Sequence, residues 1–314
     1  MRSLEKWLPL FMAILTAMLD ILLKDSFRQP AKEHYFLYMI LCFSTALLVA
    51  NIGGHFKQGL ESWLQEKARL ITMVILLLNL LNLATKKYAV LPVIFFPSPD
   101  KILSVIFDDW VFLATCLAAS GKLLFTGCFW GALIGFITGI AIGFSRSAAY
   151  WVNPLVRVLG PIPATAWIPI VLVSFPTTFS ASSFLIALSV WFPTAVMTSS
   201  GILNVQNAYF EVSSTLGAGR MYQVFHVGIP AAMPHMFIGL FNGICSAFIT
   251  LMTAEMLGVK NGIGWYINWQ KDMMAYANVY AGLLIIAVTF SILISLLFRF
   301  RDQVLVWQKG VIKW

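Results

Sequence analysis

The sequence predicts an all-α fold, a polytopic helix bundle embedded in a membrane. Hydrophobic residues make up 60% of its 314 residues and charged residues only 11%, whereas a soluble domain carries about 25% charged residues. The mean hydropathy is +0.84. Several apolar runs reach the roughly 20 residues that a transmembrane helix needs, and short polar breaks separate them. These observations favour a bilayer over water as the solvent of the chain.

Eight candidate spans follow one another, at residues 7–23, 35–53, 69–84, 119–144, 160–176, 182–203, 234–257 and 277–298. The first lacks a small-x-small cleavage site and is longer than a signal-peptide core, so we expect a retained helix. The fifth contains Pro161, Pro163, Pro169 and Pro176, which predict a broken helix buried among its neighbours. Between residues 91 and 109, Pro-Ser-Pro and the spaced apolar residues after it predict a short amphipathic helix at the outer interface.

The orientation follows from lysine and arginine, which are retained on the cytoplasmic side. The last span is followed by Arg299, Arg301, Lys309 and Lys313. They predict a cytoplasmic C-terminus, and eight spans then place the N-terminus inside as well. Two loops disagree with this orientation, and their basic residues are Lys24, Arg28, Lys32, Lys86 and Lys87.

The fourth span carries a glycine at every fourth position, namely Gly127, Gly131, Gly135, Gly139 and Gly143. This spacing places all five on one stripe of the helix, where another backbone can approach closely. The stripe is typical of a tight crossing in a transport core and of ordinary close packing between membrane helices. Both interpretations predict burial against protein.

One polar interruption, residues 207–230, is too long and too patterned to be a simple linker; we call it the elbow. Apolar spacing predicts a short helix before Gly217, a break at Gly217–Gly219, and a second helix that continues to Pro230. A helix-break-helix lying under the membrane would present a short knob to a soluble partner. The alternative is an amphipathic connector without a partner.

The elbow resembles the cytoplasmic loop of ABC importer permeases, whose pattern is Glu-Ala-Ala, three residues, Gly, nine residues, Ile, one residue, Leu-Pro. Glu211-Val212-Ser213, Gly217, Val227 and Ile229-Pro230 keep every spacing. Val212 and Ser213 replace the two alanines, which leaves room for a modified docking surface.

Further segments resemble the nitrate/sulfonate/taurine branch of this family. They are Phe96-Pro97-Ser98-Pro99, Pro161-Ile162-Pro163, Thr215–Ala218, Pro230–Pro234, and Ala254–Gly258 followed by Gly262-Ile263-Gly264. The resemblance covers residue 69 to the end. It implies a type I ABC importer permease core of six helices in residues 69–314, preceded by an extension, residues 1–68, with two additional helices of unassigned role.

The resemblance implies that the elbow docks into a groove of a cytoplasmic ATPase. The residues that it assigns to this coupling are Glu211, Ser213, Leu216, Gly217, Ala218, Arg220, Ile229 and Pro230. Glu211 would be an anionic anchor or cap, Gly217 would allow a close turn or backbone approach, and Ile229-Pro230 would start the next membrane helix.

Within the membrane, Glu255 near the outer end of the seventh span is the most unusual residue. It either shapes the gate and its inter-helix hydrogen bonds, or it is an interfacial carboxylate that reaches the headgroups. Pro161, Pro163 and Trp167 are the other candidates for the translocation path or gate. We expect no catalytic residue and no metal site, and the four cysteines lack metal-type spacing.

The partners that the resemblance implies are two copies of the ATPase, a second permease copy in a homodimer, and an extracytoplasmic solute-binding protein, all at a bacterial inner membrane. ATP and Mg would bind the ATPase, because this chain has no Gly-x4-Gly-Lys-Ser/Thr loop. The formal net charge of +8 reflects basic residues dispersed in loops, which fit lipid headgroups better than nucleic acid. The branch favours a small anion such as nitrate, sulfonate, taurine or bicarbonate.

Two other classes compete with this interpretation. A secondary transporter would need ion-coupling carboxylates at mid-membrane, and the spans hold few. An intramembrane enzyme would need a His/Glu/Asp or Ser/Lys constellation on facing helices, and none stands out. Purification of the chain together with an ATPase separates the permease from both.

Overall fold

The computed structural model describes residues 5–26, 34–54 and 58–307 of the chain. Regular structure in these residues is helical throughout, which confirms the predicted all-α fold. The helices are α1 (Leu8–Leu22), α2 (Tyr35–Gly54), α3 (Gln58–Asn82), α4 (Pro99–Asp108), α5 (Trp110–Phe144), α6 (Arg146–Leu159), α7 (Ile168–Ser174), α8 (Thr178–Leu203), α9 (Asn207–Thr215), α10 (Arg220–Gln223), α11 (Ile229–Leu257), α12 (Ile263–Asp272) and α13 (Tyr276–Val304). Two π-helical turns, Leu83–Lys87 and Val224–Gly228, and the 3-10 turn Ala164–Trp167 complete the described elements.

Six stretches of the described chain are long and apolar enough to cross a membrane, and they involve α2, α3, α5, α8, α10–α11 and α13. The pair formed by residues 146–159 and 164–174 also passes this test together, with a bend of 84°. The fifth predicted span is therefore broken, as its prolines indicated. α1 has 15 residues, which corresponds to about 22 Å against a hydrocarbon core of about 30 Å.

The chain forms two compact units. One contains residues 1–112 and 269–283, and the other contains residues 113–268 and 284–314. The predicted boundary between an extension and the permease core, after residue 68, stays a prediction. Arg28 and Lys32, which disagree with the predicted orientation, and Lys309 and Lys313, which support it, lie outside the described residues. The positions of the termini relative to the membrane remain predictions too.

In the first unit, α1 and α2 pack along α3 through a small apolar core. Its buried members are Leu10, Ala13, Ala17, Phe36, Ile40, Leu47 and Ile75. The predicted amphipathic helix between residues 91 and 109 is present as α4, with Pro99 in its first turn. Tyr35 of α2 stacks on Phe107 of α4, with ring centroids 5.2 Å apart.

A buried ionic network in the same unit corrects the expectation that Lys86 and Lys87 lie in a loop. Both residues belong to the π-turn after α3 and are buried. The Lys86 Nζ lies 2.9 Å from a carboxylate oxygen of Asp100 and 3.4 Å from one of Asp20. The Lys87 Nζ lies 2.7 Å from Asp25 and 3.2 Å from Asp20. These lysines conflicted with the predicted orientation because they were counted as loop charges, whereas they neutralise aspartates inside the protein.

In the second unit, the glycine stripe of α5 packs against α8. A Cβ on each glycine would meet, in order, Ile186, Ala187 with Val190, Thr194, Thr198 and Ile202. Gly127, Gly131, Gly135 and Gly139 are buried, and Gly143 is half-buried. The contact positions on α8 also recur every four residues. Each glycine of α5 therefore leaves room for one turn of α8.

The direction of the helices follows from the same contacts. Residue numbers rise together along α5 and α8, so these two helices run parallel. The segment between them must therefore return across the bundle, and the bent pair α6–α7 does so. α11 runs antiparallel to α8, because Gly239 meets Pro193 and Met197 whereas Gly243 meets Val190.

Candidate functional site

The elbow contains the helix-break-helix that the sequence predicts. α9 ends at Thr215, α10 begins at Arg220, and the π-turn Val224–Gly228 connects α10 to α11. Ile229 donates to the carbonyl of Val224, five residues earlier. Pro230 has no N–H to donate to the carbonyl four residues before it. This explains why the backbone hydrogen bonds change here from the α-helical pattern, four residues apart, to the π-helical pattern, five residues apart.

The break at Gly217 is a helix C-terminal motif. The Gly217 N–H donates to the Ser214 carbonyl at 2.9 Å, and the Ala218 N–H donates to the Ser213 carbonyl at 3.0 Å. This pair of bonds is a Schellman motif, which needs a left-handed residue at the position of Gly217. The φ of Gly217 is +81°, and a Cβ there would meet no atom within 4 Å. The glycine therefore serves the conformation of the turn, and no internal contact crowds it.

Side chains hold the two arms of the elbow in place. Gln223 on the second arm donates to the Ser214 hydroxyl at 2.6 Å and to the Phe210 carbonyl at 3.3 Å. The Arg220 guanidinium donates to the Phe144 carbonyl, the last residue of α5, at 3.0 Å. The rings of Phe144 and Phe210 meet edge to face at 6.1 Å. The elbow is thus attached to the end of α5 as well as to the helices on either side of it in sequence.

The tip of the elbow is apolar and exposed. Leu216 is 83% exposed, Met221 73% and Val212 59%. Tyr209 and Tyr222 are also exposed. Apolar side chains grouped at the end of a fixed turn favour contact with a protein surface.

The other predicted coupling residues lie around this tip or at its base. Glu211 is exposed, and its carboxylate has no described partner within the chain. Ser213 donates to the Phe210 carbonyl at 2.9 Å, and Ala218 is half-buried. Ile229 and Pro230 form the first turn of α11.

Glu255 lies near the opposite end of α11 and is buried, 1% exposed. One carboxylate oxygen accepts from the Gly264 N–H at 2.7 Å, in the first turn of α12. Beside it, the Ile263 N–H donates to the Ser120 hydroxyl of α5 at 2.9 Å. Gly262 has a φ of +127°, and a Cβ on it would collide with the Glu255 carboxylate. A carboxylate at this place stabilises a helix N-terminus, and the contacts favour inter-helix bonding over an interfacial position.

Replacing Glu255 tests this hydrogen-bond role. Glu255→Ala leaves the Gly264 N–H buried without an acceptor and is expected to lower the free energy of unfolding by about 1–3 kcal/mol. Glu255→Gln keeps an acceptor oxygen and should lose less than about 1 kcal/mol. Unfolding of the detergent-purified protein measures both. Equal losses in the two variants would show that the charge matters and not the acceptor.

The segment between α6 and α7, residues 160–167, is called the proline-rich break here, and it contains the remaining predicted residues. Pro161 is exposed, and Trp167 is half-buried against the apolar cluster formed by α7 and the start of α8. Pro163 lines a cavity of about 380 Å³ between the break, α8 and α11. Pro161, Pro163 and Trp167 thus do not share one site. Among the residues that the structure describes, no three His, Cys, Asp or Glu side chains are placed to hold a metal ion.

Sequence reasoning missed three features of the molecule. The Lys86 network escaped notice because its partner Asp20 is 66 residues away. Ser120 carried no signal, since a single serine in an apolar helix is common. The cavity hydroxyls Ser189, Ser246 and Thr250 were also missed. A polar residue recurring at the middle of two predicted spans was the available signal.

Comparison with protein families gives a match over residues 131–305 to the family described as Binding-protein-dependent transport system inner membrane component. The matched region includes most of the glycine stripe, the proline-rich break, the elbow and Glu255.

Curated relatives agree with this match. The chain is 28% identical over 202 residues to the taurine transport system permease protein of Escherichia coli (strain K12), covering 62% of this chain and 74% of the relative. It is 30% identical over 193 residues to the putative aliphatic sulfonates transport permease protein of Bacillus subtilis (strain 168), covering 62% and 68%. A nitrate import permease protein of Leptolyngbya laminosa is 31% identical over 172 residues, covering 53% and 62%.

Among solved structures, the chain is similar to a chain of the MetNI methionine ABC transporter in an inward facing conformation. The TM-score is 0.55 and the identity 18%, and the similarity covers 63% of this chain and 98% of the other. At this identity the similarity shows the fold alone.

Proposed function

Because this chain belongs to the family of binding-protein-dependent transport system inner membrane components and is an ABC importer permease, we propose that the elbow couples it to a separate cytoplasmic ATPase. The observation that carries the proposal is the exposed apolar tip at Leu216 on a turn fixed by the Gly217 Schellman motif. A fixed turn loses little conformational freedom on docking, so its contacts contribute fully to binding.

The division of labour in the assembly follows from this coupling. Two ATPases bind ATP and Mg, and each grips the elbow of one permease copy in a homodimer. A solute-binding protein delivers the cargo on the outer side. Closure of the ATPases moves the elbows and shifts the permease between inward- and outward-open states. In this arrangement both termini are cytoplasmic and Glu255 lies toward the outer side, because it occupies the end of α11 remote from the elbow.

The transported solute in this proposal is a small anion of the class that the relatives' names describe, such as taurine, a sulfonate, nitrate or bicarbonate. The permease forms its path, and the chain itself performs no chemistry on ATP.

The test replaces Leu216 by a photo-crosslinking amino acid in the full chain, expressed in its own membranes. Irradiation should yield an adduct with a subunit that carries a Gly-x4-Gly-Lys-Ser/Thr loop. The same crosslinker at Val288, an exposed position of α13, should give no such adduct. An adduct of equal yield at both positions, or none at Leu216, would contradict docking through the elbow.

Gly217→Asp provides the functional arm of this test. We expect it to reduce recovery of the ATPase with the tagged permease by at least about tenfold and to abolish uptake, because aspartate adopts the left-handed conformation less readily than glycine and adds a charge beside the apolar tip. The permease should stay in the membrane. Gly219→Ala is the matched control, since a Cβ there also meets no atom within 4 Å but φ is −71°. Unchanged uptake in Gly217→Asp would refute the coupling role.

A further inference from the structure

A cavity of about 380 Å³ lies within the second unit, between the proline-rich break, α8 and α11. Four hydroxyl residues line it, namely Thr165 of the break, Ser189 of α8, and Ser246 and Thr250 of α11. Its volume falls in the range of small-molecule sites, about 300–1,000 Å³.

The cavity lies near the middle of two helices that are long and apolar enough to cross a membrane. Ser189 to Pro193 occupy the middle of α8, which runs from Thr178 to Leu203. Ser246 to Thr250 occupy the middle of the predicted span 234–257. Hydroxyl groups gathered at this depth have no lipid headgroup to contact, so they indicate a path for a polar solute.

The polar groups that line the cavity offer both donors and an acceptor. Pro193 has no N–H, so the Ser189 carbonyl lacks the helical donor that another residue would supply. The Ser189 hydroxyl donates to the Ile186 carbonyl at 2.7 Å. The Thr250 hydroxyl donates to the Ser246 carbonyl at 3.0 Å. Hydroxyl groups can rotate to donate to a ligand oxygen instead.

The rest of the cavity lining is mainly apolar, and part of it is held in place by other contacts. Phe192, Leu188 and Ile249 contribute to it, and Gly160 brings the break into contact with the Phe192 ring. The indole of Trp191 donates to Thr138 of α5 at 3.1 Å, which fixes its ring. None of the described residues that line the cavity carries a charge.

We propose that this cavity holds the solute in transit, and that the solute is a small organic anion with an apolar body. This inference rests on the proposed function and narrows its solute class. The body loses water against Phe192 and Ile249, which stabilises it by about 25 cal/mol per Å². The oxyanion head accepts hydrogen bonds from Ser246 and Thr165. An inorganic anion has no apolar surface to offset its desolvation. The absence of a lining cation keeps binding weak enough for release.

Thiol labelling tests the cavity without knowledge of the natural cargo. The four native cysteines are replaced, and Ser246→Cys, Ser189→Cys and Ser182→Cys are introduced singly in the full chain, in native membranes with its partners. Ser182 is buried on α8 outside the cavity lining and is the matched control. A water-soluble anionic methanethiosulfonate attacks only thiols that reach water as thiolate, so Ser246→Cys and Ser189→Cys should react at least about tenfold faster than Ser182→Cys.

Protection experiments then define the solute class. We expect 1-pentanesulfonate, at a concentration about four times its dissociation constant, to slow labelling of Ser246→Cys about fivefold. Nitrate and pentylammonium at the same concentration should not slow it. Labelling as slow as in Ser182→Cys at both cavity positions would overturn the cavity as a path. Protection by nitrate or pentylammonium equal to that by pentanesulfonate, or none by pentanesulfonate, would overturn the solute class.

These outcomes are independent of the coupling test. Labelling and protection require only the folded permease, whereas the Leu216 adduct requires the ATPase. Loss of the Leu216 adduct with intact protection of the cavity would reject the coupling role and keep the cavity. An intact adduct without protection would reject the cavity and keep the coupling role.

Discussion

Gly131→Leu is expected to lower the free energy of unfolding by about 3 kcal/mol or more and to prevent assembly of the second unit. A Cβ on Gly131 would lie 2.5 Å from the Ala187 carbonyl oxygen and 2.9 Å from the Ala187 Cα. Because these are backbone atoms, no side-chain rotation relieves the clash, and α5 must separate from α8 along its length. Unfolding in detergent titrated with dodecyl sulfate measures the loss.

Gly121→Leu is the matched control for this prediction. Gly121 lies on the same helix, is exposed, and would bring its Cβ within 4 Å of nothing. Its replacement should not destabilise the protein, because leucine has the higher helix propensity, which contributes at most about 1 kcal/mol. Similar losses in the two variants would mean that helix propensity or insertion, and not the α5–α8 contact, dominates the effect.

Lys86→Met should destabilise the first unit by about 3–5 kcal/mol, because it leaves Asp20 and Asp100 buried beside one fewer cation. Both carboxylates are at most 6% exposed. The measurement is proteolysis of the membrane-embedded chain between α3 and α4, which should become faster as this unit opens.

Two further variants isolate the ionic cause. Asp100→Asn combined with Lys86→Met removes a charge of each sign and keeps an acceptor for the Phe36 N–H, which Asp100 binds at 2.9 Å; it should recover at least about half of the loss. Lys67→Met removes an exposed lysine, 3.6 Å from Glu66, and should change stability by less than about 1 kcal/mol. No recovery in the double variant would point to lost packing by the lysine stem.

The sequence predicted the repetitive features of the fold well. The glycine period of α5 is local, so its stripe was visible before any partner was known, and the contacts with α8 follow from it. The prolines of residues 161–169 likewise predicted a broken span, because proline acts on its own helix. The permease family was recognised from spaced motifs and is confirmed by the match over residues 131–305.

What the sequence could not predict depends on contacts between distant residues. Lys86 and Asp20 resemble an ordinary loop charge and an isolated acid until folding brings them together. The same holds for Ser120 and the start of α12, which are 143 residues apart. Glu255 was singled out as a carboxylate in an apolar segment, but only the structure places it against the N–H of Gly264. The role of each coupling residue in the elbow stays a prediction.

The bond from Arg220 to the last carbonyl of α5 has a mechanical consequence. α5 packs against α8 over about four turns, and α8 in turn packs along α11, so in the proposed coupling a displacement of the elbow would be passed to all three helices. In the proposed coupling, the 84° bend between residues 159 and 164 would be the hinge about which the unit opens and closes.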